Sequence, residues 1–284
     1  MRFVMFLRDG EKGIAASDGG VFRGYCENEA GYPGDLDDLI ATGEDMREVA
    51  EDLLAGVDID LESCEYLPPL MRPSKIICVG LNYADHSKEI GFEVPAYPTV
   101  FCRFPSSLVG HGQPIIKPLQ SDQLDYEGEL VAVIGKRARA VPEDKALEYV
   151  AGYSLFNDAS IRDYQFLTPQ WTVGKNFDGS GPFGPWLVTP DELPPGGKGL
   201  AITTRLNGAV MQQSTTDCMM FGVANLIALL SETMTLEPGD VLVTGTPSGV
   251  GTSRKPPVFM KDGDVVEVEV EKLGVLRNPV VAAK

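Results

Sequence analysis

From Ile76 onward, short runs of β-branched and aromatic residues are cut apart by glycine and proline, and few stretches carry a helical period. Ile76–Val79, Thr99–Cys102, Leu130–Ile134, Ala201–Leu206 and Val241–Thr244 read as strands, and Val265–Val270 alternates strictly. Helical patterns are confined to Glu143–Tyr149 and to Val223–Met234, the latter after a polar Ser214-Thr215-Thr216 segment. Strands that outnumber helices without alternating regularly with them argue against a doubly wound or (β/α)₈ fold. The expectation is an α+β domain around a folded-over sheet.

Upstream of that region the texture differs. Residues 1–70 carry five basic and 17 acidic side chains, a large share of the chain's net charge of −17. Such a step places a boundary near Leu67-Pro68-Pro69-Leu70-Met71-Arg72-Pro73, a stiff linker by composition. Two domains are therefore expected: a small acidic N-terminal domain, residues 1–70, and a main domain, residues 71–284. In the first, Phe3–Leu7 and Gly13–Ala16 read as strands joined at Asp9-Gly10. One helix follows, with Leu36, Leu39, Ile40, Met46, Val49, Leu53 and Leu54 on a face and Gly56 as its stop. Asp37, Asp38, Glu44, Asp45, Glu48, Glu51 and Asp52 fall on the opposite face and read as solvated, since nothing gathers them around one point.

The acidity argues against a nucleic-acid or anionic-membrane surface, which needs clustered lysine and arginine. No apolar run approaches the roughly 20 residues of a membrane span, and Met1–Leu7 is too short for a secretory signal. Five scattered cysteines without a CxxC spacing fit neither a disulfide framework nor a zinc site. A reducing, cytoplasmic setting is the expectation.

Chemistry concentrates in a few segments. In Asp125-Tyr126-Glu127-Gly128-Glu129, leading into an apolar strand, Glu127 and Glu129 point to the same face. They are either a solvated strand edge or a pair held together by a cation, with Gly128 leaving the opposite face open. Asp158 ends the apolar run Tyr149–Phe156, where a carboxylate is costly without a partner. If it joins the two glutamates, the result is an all-oxygen site selecting Mg²⁺ or Mn²⁺ over zinc. His86 and Glu89, three apart, can touch on a helical turn; they are a surface contact or a proton-accepting pair. Lys175, among Trp171, Val173 and Phe177, either neutralises a substrate anion or snorkels to the surface. Gly245-Thr246-Pro247-Ser248-Gly249-Val250-Gly251 is neither a dinucleotide fingerprint nor a Walker loop. It reads as a donor loop for a small anion or as a tight turn. His111 sits in a turn and receives no role.

Taken in order, Val79–His86, Asp125–Leu130, Gly152–Asp158, Arg162-Asp163-Tyr164-Gln165, Gly174-Lys175 and Gly239–Gly251 resemble the fumarylacetoacetate hydrolase family over roughly residues 73–281. The N-terminal 70 residues look like the small extra domain of some bacterial members. The resemblance implies a mixed sheet folded into a β-roll, a homodimer, and Mg²⁺ or Mn²⁺ in the mouth of the roll. It implies Glu127, Glu129 and Asp158 as metal carboxylates, His86 and Glu89 as a water-activating pair on a lid segment, and Lys175 beside the metal. Gln165 and Thr246 match positions that contact the keto-acid end of the substrate, and Arg103 falls where many members place a basic residue. The larger members have a further aspartate ligand before the histidine, which Cys78-Val79-Gly80-Leu81 does not supply. That sets this chain with the smaller three-carboxylate members and argues against fumarylacetoacetate as substrate.

The expected activity is therefore metal-dependent hydrolysis of a C–C bond in an acylpyruvate-like 1,3-dioxo acid. His86, oriented by Glu89, would take a proton from the attacking water, and metal and Lys175 would stabilise the enolate leaving group. The alternatives on the same site are ketonisation of 2-hydroxydienedioates, decarboxylation of oxaloacetate-like acids, and hydrolysis of diketo sugar acids.

Overall fold

The structure is a computed structural model; it describes residues 1–89 and 96–284, with the backbone alone at 86–88. Among the described residues, a large mixed sheet runs in the order Val57–Asp58, Arg23–Cys26, Glu11–Ser17, Arg2–Arg8, Gly181–Val188, Val150–Asn157, Gly128–Ile134, Val241–Val243, Ile76–Gly80 and Thr99–Arg103. Most neighbours are antiparallel, but Val241–Val243 pairs parallel with Ile76–Gly80. A second sheet orders Ala209–Thr215, Ala201–Leu206, Val265–Val270, Gly274–Ala282 and Ile115–Lys117. This is the α+β, mixed-sheet class that the strand-rich pattern implies.

The apolar run of Gly128–Ile134 explains how the layers stack. Alternate residues of a strand face opposite ways, and here both faces are covered. Leu130, Ala132 and Ile134 pack with Ile202, Val268 and Val270 of the second sheet and with Leu226 and Ile227 of the helix Val223–Thr233. Val131 and Val133 face a separate core that includes Phe3, Met5, Leu36, Leu39 and Leu53. A strand buried on both sides reads as a continuous hydrophobic run. Gly128 begins this strand because the second sheet comes close: a Cβ there would lie 2.2 Å from Thr204 Oγ1. The face opposite Glu127 and Glu129 is thus packed, not open as its glycine suggested.

The sheet is continuous across the linker, since Arg2 and Phe3 pair with Val188 and Leu187. Between residues 36 and 54 the chain makes two helices, Leu36–Thr42 and Met46–Leu54, where the apolar spacing suggested one. Gly43 adopts a left-handed conformation (φ 76°) that ends the first, and the Asp45 carboxylate caps the second by accepting from Arg47 N. Asp37 also departs from the expected solvated face. It is buried, and its carboxylate accepts from Met71 N and Arg72 N at 2.9 and 2.8 Å, fastening the linker. Glu143–Tyr149 is 3₁₀ in form.

Candidate functional site

Two neighbouring strand ends converge to build the site. Glu127 precedes Gly128–Ile134, Glu129 lies within it, and Asp158 follows the neighbouring strand Val150–Asn157. Their register, Gly128 opposite Asn157, brings Glu127 and Asp158 to the same level. One oxygen from each of Glu127, Glu129 and Asp158 lies within 4.8 Å of the others. All three are buried, at 5%, 2% and 1% exposure, which removes the reading of a solvated strand edge.

Buried carboxylates need charge or hydrogen-bond partners, and the partners are specific. Lys175, 1% exposed at the end of the short helix Thr172–Lys175, places Nζ 2.7 Å from Glu127 Oε2 and 2.6 Å from Asp158 Oδ2. It also stands over the Phe101 ring, 4.9 Å from the centroid. The lysine points inward and does not snorkel. Burial alone would lower its pKa, but Asp158 and Glu127 outweigh that and hold it above the ordinary lysine value. Glu129 pairs with none of the neighbouring cations among the described ion pairs; its Oε2 accepts from the Gly245 N–H. Burial, then Asp158 and Glu127, push its carboxyl well above the usual range, against the opposing pull of Lys175 and Gly245.

Arg103 lies behind the site. Its guanidinium donates to Asp158 Oδ1, Ala159 O, Ser180 Oγ and Ser107 Oγ, and it is 2% exposed. With those donors aimed at the protein, Arg103, the basic residue expected among the substrate-binding positions, is engaged by Asp158 and its neighbours. Gln165 and Thr246 do line the same cavity as Glu127, Glu129, Asp158 and Lys175, together with Gly80, Phe101, Arg162 and Trp171. Trp171 closes against Gly80, where a Cβ would meet the indole at 2.2 Å. The enclosed space is about 20 Å³, room for an ion or one water.

Two residues of the carboxylate and arginine motifs have roles that the spacing did not expose. Arg162, buried, donates through Nε to Asp125 Oδ2 (2.8 Å) and through Nη1 to Gln165 Oε1 (2.8 Å), and its Nη2 pairs with Glu127 Oε1 (2.7 Å). Gln165 therefore has its amide oxygen committed to Arg162. Thr246 is fixed as well: its hydroxyl donates to Gly128 O (3.0 Å) and accepts from Gln212 Nε2 (2.8 Å). The sequence signal for Arg162 is an arginine directly after the buried strand Ser160–Ile161; a cation there needs an acid, and the acids lie 35 or more residues upstream.

The glycine loop acts as a donor loop within the protein itself. Its backbone N–H groups do bind anions, but those anions are the protein's own carboxylates. Gly245 N meets Glu129, Gly249 N meets both oxygens of Glu89 at 3.0 and 2.9 Å, and Gly251 N meets Asp125 at 2.7 Å. Glu89 ends the short helix Ala84–Glu89. The His86 side chain, expected to pair with Glu89, lies outside the described residues. His111 stacks edge-on against Tyr66 at a centroid distance of 4.8 Å and accepts from Arg277 N, away from this site.

The donor set is a test of whether a divalent cation belongs here. Three buried carboxylates, no nitrogen or sulfur donor among them, and an ammonium already bridging two of them fit a hard cation such as Mg²⁺ or Mn²⁺. Comparison with known proteins agrees with the sequence motifs. The family model described as "Fumarylacetoacetate (FAA) hydrolase C-terminal" matches residues 75–281. The chain is 41% identical over 288 residues to "Oxaloacetate tautomerase Fahd2a, mitochondrial" of Rattus norvegicus, covering 99% of this chain and 92% of that protein. Among solved structures, a fumarylacetoacetate hydrolase from Exiguobacterium antarcticum is 38% identical with a TM-score of 0.84, and both chains are fully covered. A 5-carboxymethyl-2-hydroxymuconate delta-isomerase from Mycobacterium smegmatis is 33% identical with a TM-score of 0.78, again over both whole chains.

Proposed function

The chain belongs to the fumarylacetoacetate hydrolase family, and from that premise we propose that it catalyses divalent-metal-dependent keto–enol tautomerisation of a small 2-oxo dicarboxylic acid, with oxaloacetate the first candidate. The observation that carries this reading is the buried Lys175 ammonium set among Glu127, Asp158 and the cavity wall. Tautomerisation takes the carbon-bound proton to solvent water and only afterwards returns one to the oxygen, so negative charge stands on that oxygen in between. A fixed, desolvated cation beside that oxygen lowers the barrier without reorganising. Glu127, Glu129 and Asp158 would hold Mg²⁺ or Mn²⁺, which when bound polarises the carboxylate and keto oxygens of a 2-oxo acid.

The chain's own groups divide the remaining work. Lys175 keeps its proton on Nζ, because its neighbours raise its pKa, and donates a hydrogen bond to the enolate oxygen. Gln165, its amide oxygen taken by Arg162, turns its NH₂ toward the substrate carboxylate. Thr246, held by Gly128 and Gln212, fixes the opposite wall. The full-length similarity to a protein named as an oxaloacetate tautomerase supports this substrate class.

Hydrolytic cleavage of an acylpyruvate is the second reading. It is favoured by the docking of Glu89 on Gly249 N, within the loop that carries Thr246. On this reading, that contact seats the helix bearing His86 beside the cavity, and His86 takes a proton from the attacking water. A homodimer is proposed on either reading; light scattering that gives a single-chain mass would dismiss it.

The two readings separate with metal-stripped protein given enol oxaloacetate, acetylpyruvate or fumarylpyruvate, with and without Mg²⁺. The tautomerase reading expects Mg²⁺-dependent loss of the enol absorbance of oxaloacetate, with the keto acid recovered intact. Release of pyruvate and the matching acid from a dioxo acid would instead establish the hydrolase. Pyruvate and CO₂ from oxaloacetate would reassign the chain as a decarboxylase.

A further inference from the structure

Asp125 touches neither the cavity nor, by its geometry, any cation held by Glu127, Glu129 and Asp158, yet it is 0% exposed and fully engaged. Its Oδ1 accepts from Tyr126 N (2.8 Å) and Gly251 N (2.7 Å). Its Oδ2 accepts from Thr252 N (2.9 Å) and Arg162 Nε (2.8 Å). Four donors fill the four acceptor sites of one carboxylate. One of these donors is the last residue of the glycine loop, one is the residue directly after it, and one is the arginine that grips Glu127 and Gln165.

We propose that Asp125 is a positioning residue that couples the seating of the helix Ala84–Glu89 to the geometry of the metal carboxylates. The physical path is short. Glu89 is held by Gly249 N; two and three residues on, Gly251 N and Thr252 N hold Asp125. Asp125 fixes Arg162, and Arg162 fixes Glu127 Oε1 and the Gln165 amide. At its other end, the same loop holds Glu129 through Gly245 N. A shift of the loop as the helix docks is therefore passed to Glu129 directly and to Glu127 through Asp125. The close packing makes the path stiff: a Cβ on Gly251 would lie 2.6 Å from Asp125 Oδ1 and 1.8 Å from Val258 O. Partners of metal-ligating carboxylates set ligand orientation, and their loss typically costs about 10–100-fold in affinity or activity.

The test uses the full chain, and it rests on the reading of Glu127, Glu129 and Asp158 as a divalent-cation site. Asp125→Asn keeps the shape but cannot satisfy its surroundings, because all four neighbours are donors and either amide orientation sets the NH₂ against two of them. Calorimetric titration with Mg²⁺ should give a dissociation constant raised by about 10–100-fold, with the circular dichroism of the folded chain retained. Glu89→Ala should weaken Mg²⁺ binding by about fivefold or more in the wild-type background, and by clearly less once Asp125→Asn is present, where only the direct route through Gly245 N and Glu129 remains. Unchanged affinity in Asp125→Asn, or equal effects of Glu89→Ala in both backgrounds, would overturn the coupling while leaving the cation site standing. If the wild-type chain itself bound no Mg²⁺, the cation-site reading would fall, and the coupling with it. Should Asp125→Asn fail to fold, Arg162→Lys carries the same test, since a lysine cannot reach Asp125, Glu127 and Gln165 together.

Discussion

The acidic N-terminal segment and the carboxylate cluster hold the same kinds of side chain in opposite circumstances. Residues 1–70 have 17 acidic side chains, and most of those on the helix Met46–Leu54 face water. Glu127, Glu129 and Asp158 are buried and gathered by strand register around a single point. A solvated carboxylate is stabilised by water wherever it sits, so its position specifies nothing. A buried one must be matched, and the match fixes its direction. The difference shows why charge density is a poor guide to chemistry and why burial together with convergence is a good one.

The largest effect expected from that contrast is at Glu127. Glu127→Gln should reduce kcat/KM by at least about 10²-fold and weaken Mg²⁺ binding, whereas Glu51→Gln on the exposed helix should change neither; steady-state assays and calorimetry measure both. A fully active Glu127→Gln variant would erase the distinction between the two regions.

Much of that distinction was legible before the fold was known. The glutamates two apart on a strand and the aspartate ending an apolar run each carry a geometric consequence, and the register of two adjacent strands realised both. Arg162 and Asp125 were not legible as a pair, because 37 residues separate them and their contact depends on the short Leu124–Asp125 and Ser160–Ile161 pairing. The break at Gly43 did have a local signal, a glycine followed by Asp45 at a capping position, which the apolar spacing overrode. Asp37 had none, since its partners are backbone groups of a linker 34 residues away. Gly128 pointed to missing bulk but not to what fills the space.

Stability offers a second way to sharpen the comparison. Arg103→Met should cost about 3–5 kcal/mol in metal-free protein, read from urea unfolding in the presence of a chelator, because it removes a buried cation from Asp158. Asp37→Ala should cost less, about 1–3 kcal/mol, by orphaning the N–H groups of Met71 and Arg72. Glu51→Gln should stay within about 0.5 kcal/mol of wild type.

The pH dependence is the subtlest expectation. Glu129, its pKa raised above the ordinary 4.5 by burial and by Asp158 and Glu127, binds its proton more tightly folded than unfolded. Its contribution to the metal-free fold is complete below pH 4.5 and is lost as pH rises toward and through the raised value. A cation entering the site displaces that proton. Mg²⁺ affinity should therefore rise with pH, and calorimetry in buffers of different ionisation enthalpy should show proton release. Affinity independent of pH, with no proton released, would place Glu129 in the ordinary carboxylate range.

The most direct measurement is the anomalous scattering of a crystal soaked in Mn²⁺. The account predicts one strong peak among Glu127, Glu129 and Asp158, with the Lys175 ammonium displaced from between Glu127 and Asp158. A peak elsewhere, or none with Lys175 still bridging those two carboxylates, would contradict it.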